Sequence, residues 1–113
     1  MNAGDRELLE LAAKAAGIEL DWDVPPSASP WRITGDGDDK GPASPWNPFH
    51  DSGDAMDLAV SLRAVIDVSD DGNEVCVGMP SGHHWTEICG PNPYAATRRA
   101  IVRAAAEIGK AMP

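Results

Sequence analysis

A chain of 113 residues, 42% hydrophobic and 24% charged, is long enough to bury one core without a disulfide or a metal to hold it together. Its net charge of −9 repels phosphate backbones and so disfavours direct nucleic-acid binding. There is no apolar run of bilayer length and no basic-then-apolar leader, so Cys76 and Cys89 are expected as reduced thiols of a cytoplasmic protein.

In chain order, Asp5 is expected to cap a first helix, with Leu8, Leu11, Ala12 and Ala15 on its apolar face. Gly17 supplies a left-handed stop. The pattern then shifts to period two: Ile18, Leu20, Trp22 and Val24 alternate with acids, as in a strand with one dry face. Residues 25–50 hold six of the ten prolines and are expected to be largely irregular, with a short strand at Trp31 and Ile33 and an acidic tip around Asp36, Asp38 and Asp39.

Asp51 starts a second helix, and Asp54, three residues on, imitates a capping box. Ala55, Leu58, Ala59 and Leu62 form its apolar stripe. Strands follow at 65–68, 74–79 and 84–89, with turns at Asp70-Asp71-Gly72-Asn73 and Pro80-Ser81-Gly82. Asn92 caps a last helix with Pro93 at its first position; Thr97, Ile101, Ala104 and Ile108 form its apolar stripe, and Gly109 is expected to end it. The fold class expected is a single α+β domain spanning 1–113. In it, three helices pack on a small, mostly antiparallel sheet of three to five strands.

The charge is unevenly spread. Residues 19–74 carry thirteen acids against Arg32, Lys40 and Arg63, whereas residues 75–113 carry four bases against Glu87 and Glu107. Solubility alone accounts for such a surplus; the sharper reading is an acidic face that meets a basic protein partner, with Trp31, Asp36, Asp38, Asp39, Trp46, Asp51 and Asp54 as its contacts. A second reading assigns a small anionic, nucleotide-like ligand to the last helix. Arg98, Arg99 and Arg103 would offer forked donors and Tyr94 or Trp85 a stacking face, within one chain or across a homodimer. Asn47 and the free N–H groups at the start of the second helix would hold a polar ligand on the same reading.

Catalytic and metal chemistry find little support. The Asp36, Asp38, Gly41 spacing imitates a calcium loop but places Lys40 and Asn47 where oxygen ligands are needed. Cys76, Cys89, His83 and His84 lack the close cysteine pair of structural zinc sites. No nucleophile elbow or phosphate loop is present, and no cofactor is expected.

Three stretches taken together carry a resemblance. They are Arg6-Glu7-Leu8-Leu9-Glu10-Leu11-Ala12-Ala13-Lys14-Ala15-Ala16-Gly17, then Trp46-Asn47-Pro48 followed by Asp51-x-Gly53-Asp54-Ala55, and Pro93-Tyr94-Ala95-Ala96-Thr97-Arg98-Arg99-Ala100-Ile101. Their order and spacing resemble the NinX-like proteins, small accessory proteins of tailed phages and prophages, over most of the chain. The resemblance implies an origin rather than an activity: expression in the cytoplasm of an infected or lysogenic bacterium, and action on a host system. The function it leads one to expect is non-enzymatic binding of a host protein, as by an inhibitor of host defence.

Overall fold

The computed structural model describes residues 2–24, 29–35 and 37–113. The expected irregularity at Pro25 and Pro26 and the acidic contact at Asp36 lie outside the described residues.

The first helix, α1 (Ala3–Ala16), starts one turn earlier than expected. Asn2, not Asp5, is the cap: its side-chain oxygen accepts the Asp5 N–H at 2.7 Å, leaving Asp5 in the first turn where the helix dipole favours an acid. At the other end Gly17 takes φ 71°, and Ile18 N–H returns to the Ala13 carbonyl at 2.8 Å, the expected left-handed closure.

Only Glu19–Asp21 of the alternating segment pairs as a strand, β1, against β2 (Trp31–Thr34). The Asp21 carboxylate accepts the Asp23 N–H at 2.9 Å, and this side-chain turn ends the strand before the alternation runs out. Residues 29–35 and 37–50 are more ordered than their prolines suggest. After a short 3₁₀ turn at Gly37–Asp39, β3 (Gly41–Pro45) pairs antiparallel with β2 through a register shift at Arg32/Ile33. Pro42 and Pro45 are tolerated because β3 is an edge strand, where a missing N–H can face away from the ladder.

Helix α2 (Ser52–Ser61) is capped by Asp51, which accepts the Asp54 N–H. It ends at Leu62 and Arg63, with Arg63 in the left-handed region at φ 57° and Ala64 N–H bonded back to the Ala59 carbonyl. The strands β4 (Val65–Val68), β5 (Glu74–Gly78) and β6 (His84–Ile88) form the expected meander with β5 at its centre. Helix α3 (Pro93–Ala111) starts at Asn92 and Pro93 as expected, but it passes through Gly109 rather than stopping there.

The architecture is α+β. Among the described residues it holds three helices and two separate antiparallel three-stranded sheets, ordered β1-β2-β3 and β4-β5-β6, rather than one sheet. Helix α3 is the hub, packing along α1, against α2, and across β5 and β6. A single core joins Leu9, Leu58, Trp46, Val75, Val77 and Val102 to the alanines of all three helices. Gly109 is buried where α3 meets α1, and a Cβ there would collide with the backbone carbonyl of Leu11. A backbone atom cannot swing aside as a side chain does. Gly109→Ala should therefore lower stability by about 1–3 kcal/mol despite alanine's better helix propensity, measured by denaturant unfolding.

Candidate functional site

The corner at residues 46–54 is built around Trp46, which is buried, and Asn47, which is half-buried. Trp46 is 2% exposed, and its N–H bonds to the Pro30 carbonyl at 2.8 Å, extending the β2–β3 pairing by one residue. Asn47 is consumed by the corner itself. Its amide nitrogen donates to Ser29 Oγ at 2.9 Å, its side-chain oxygen accepts from Phe49 N–H, and its backbone N–H donates to Asp54 at 2.9 Å.

Two of the expected surface roles change as a result. Trp46 is a core residue, not an exposed anchor; its replacement by alanine would cost roughly 3–5 kcal/mol of stability, so loss of binding in that variant would report unfolding. Asn47 has its side-chain nitrogen and oxygen each bonded within the chain. Trp31 is half-buried, and its indole N–H is shut off from solvent without an acceptor among the described residues.

The expected acidic residues fall into two settings. Asp38 and Asp39 stand exposed on the 3₁₀ turn, with Lys40 beside them turned to Glu19 at 2.9 Å. Asp51 and Asp54 sit at the start of α2. The Asp54 carboxyl is held above its ordinary pKa, mainly because it is partly buried and further because Asp51 and Asp57 lie close. The Asn47 N–H and the Arg32 charge oppose that rise.

The basic residues of α3 do not all converge. Arg98 spans two elements, with Nε donating to the Phe49 carbonyl at 2.9 Å and Nη1 to Ser52 Oγ at 3.1 Å. Arg103 lies over the Trp85 ring, 5.2 Å from its centroid, and pairs with Glu87 at 2.6 Å; Glu87 also accepts the Trp85 indole N–H. Arg99 is exposed with no ion pair among the described residues. It shares a cleft of about 250 Å³ with Asp5, His50, Asn92 and Arg98. Tyr94, 76% exposed, belongs to a different hollow. Of the anion site expected from Trp85, Tyr94, Arg98, Arg99 and Arg103, Trp85 and Arg103 stand apart, while Arg98 borders both the cleft of Arg99 and the hollow of Tyr94.

The hollow beside Tyr94 escaped the sequence reading. It is a mainly apolar groove of about 190 Å³ between α2, α3 and β4, bordered by Ala55, Met56, Ile66, Tyr94 and Ile101, with Arg98 also lining it. A signal for it does exist in the sequence: Met56 and Val60, four apart, lie off the buried stripe of α2 and so mark a second apolar row. Met56 is 55% exposed.

On the β5–β6 turn, Ser81 Oγ lies 2.8 Å from His83 Nδ1, beside an open depression that also borders His84, Trp85 and Glu107. Among the described residues His83 has no hydrogen bond to a carboxylate. No group of three or more His, Cys, Asp or Glu among them is placed to hold a metal, and no helix among them is long and apolar enough to cross a membrane. Cys76 and Cys89 are both free thiols.

No family model, no curated protein and no solved structure matches the chain.

The raised Asp54 pKa has a definite consequence. Folding disfavours its charged form, so the stability this carboxyl contributes is complete below the unfolded pKa and is lost as pH rises through the folded value. Asparagine keeps an acceptor for the Asn47 N–H and has no charge to lose. The melting temperature of Asp54→Asn, relative to the parent, should rise between about pH 3 and about pH 6; thermal scans of both proteins across that range check it.

Proposed function

We propose that this chain is a NinX-like phage accessory protein that acts without catalysis or cofactor, binding a host protein with a basic surface in the cytoplasm of an infected or lysogenic bacterium, in the manner of a defence inhibitor. The observation that carries this reading is that, among the described residues, no ion pair forms where the acids are densest. Residues 51–74 hold seven acids and the single base Arg63, and none of those acids forms an ion pair among the described residues. The same is true of Asp38 and Asp39. The four ion pairs recorded lie on α1, between Lys40 and Glu19, between α3 and β6, and on α3. Carboxylates left in mutual repulsion are relieved by a cationic partner, and such complementarity speeds encounter and selects among partners.

Immobilised protein incubated with host lysate should retain a host protein at low salt and release it at high salt, since exposed charges are screened within about 10 Å at 0.1 M ionic strength. The triple variant Asp57→Asn, Asp67→Asn, Asp70→Asn should retain at least about ten-fold less. Retention indifferent to both salt and neutralisation, or no retained protein at all, would count against the reading.

A second reading rests on the cleft at the start of α3, where Arg99 and His50 stand beside Arg98. A small anion there would meet two guanidinium groups and the positive end of a long helix. Asp5 lines the same cleft and opposes an anion, which is why the protein-binding reading leads. If a nucleotide-like anion binds, it should raise the melting temperature of the parent and not of Arg99→Ala; a panel of nucleotides without effect on either removes this reading.

A further inference from the structure

We infer that the free edge of β4, together with the groove beside it, is the seat for an extended segment of the partner that alternates apolar with basic residues and adds to the β4-β5-β6 sheet as a fourth strand. This rests on the reading that the partner is basic, and it names the surface and the shape the partner presents.

The backbone is the first support. Ser69 N–H bonds to the Glu74 carbonyl at 2.9 Å, one step beyond the Val68–Val75 pair of the β4–β5 ladder. Because antiparallel pairs alternate, Val65, Asp67 and Ser69 turn their backbone groups to β5, and Ile66 and Val68 turn theirs outward. The other ladder agrees: Met79 N–H bonds to His83 and Cys89 N–H to Asn73, so odd residues of β5 serve β6 and even residues serve β4. No described strand pairs with the outer edge of β4.

The side chains are the second support. Ile66 and Val68 stand opposite Val77 and Val75 on the face that packs under α3, yet they are 37% and 51% exposed because the helix lies over β5 and β6 and stops short of β4. An added strand would lay its apolar side chains on these two, beside Met56 and Tyr94 in the groove. On the opposite face Asp67 projects into solvent, where alternate basic side chains would meet it, with Glu74 one strand further in on β5. The other edges lack this combination. Prolines interrupt β3, β1 has three residues, and the inner face of β6 is closed by Trp85, Glu87 and Arg103. Charge decides against a second copy of this chain as the occupant, since two acidic rims would face each other across the joint.

The test uses the full chain and a capped synthetic peptide alternating lysine and valine, with a glutamate–valine peptide as its counterpart. Amide hydrogen exchange at Ile66 and Val68, followed by NMR, should slow at least about ten-fold with the lysine peptide, with no change at Thr86 on the other free edge and no effect of the glutamate peptide. Val68→Lys, at an exposed position that leaves folding intact, should remove the protection. Equal protection by both peptides, or by neither, overturns the proposal. Protection that appears without peptide and grows with protein concentration, alongside a dimer in sedimentation, also overturns it in favour of a second copy. The host-lysate experiment separates the two levels. A host protein held by Val68→Lys but released on neutralising the acids sinks the strand seat and leaves the basic partner standing. Peptide protection as expected, with no host protein retained, does the reverse.

Discussion

Helix α3 lies against α1 so closely that, at Gly109, there is no room for a methyl group before the Leu11 carbonyl. That approach depends on small residues along both helices: Ala12 and Ala13 on α1, and a run of buried alanines from Ala96 to Ala106 on α3. Alanine allows close contact but buries little area of its own, so the apolar stabilisation falls to a few larger groups. Trp46, Leu9, Leu58, Val75, Val77 and Val102 supply it. Trp46, expected from the sequence as a contact for a partner, is therefore part of the core that the fold cannot spare.

Fixing α3 against α1 also decides what the remaining elements can reach. Arg98 on α3 is bonded to the Phe49 carbonyl and to Ser52, tying the 46–52 corner to the helix. Arg103 closes the far side through Glu87 and Trp85. With both flanks held, α3 covers two strands of the three-stranded sheet β4-β5-β6, and β4 is left outside with its apolar side chains half in water. The groove is thus a by-product of where the helix is anchored rather than of any local motif.

Sequence reasoning reached the elements that carry their own punctuation. Gly17 closing α1, Asp51 opening α2, and Asn92 with Pro93 opening α3 each satisfy orphan backbone groups locally, and each lies where expected. It failed where the deciding partner is distant. Gly109 resembles a stop and is instead a contact, because its neighbour lies on another helix. The two prolines of β3 conceal a strand that needs an edge position to exist. For the candidate site the same rule holds: residue types and net charge were legible, but the division of the arginines and the burial of Trp46 depend on packing across elements far apart in the chain.

The distribution of charge follows from that packing as well. Arg98 and Arg103 are spent on internal contacts, and Lys14 donates to the Met112 carbonyl at 3.0 Å. The acids of 51–74 sit at the cap and along α2, on β4, on the turn after it and at the start of β5. A fold that uses its cations as internal ties and keeps its anions outward presents more negative field than its composition alone requires. The same surface carries the β4 edge, where open backbone groups stand beside exposed apolar side chains. Electrostatic attraction is long-ranged and poorly specific, whereas strand pairing is short-ranged and fixes register. With both on one side of the molecule, the first can gather a basic partner and the second can hold it in a single alignment.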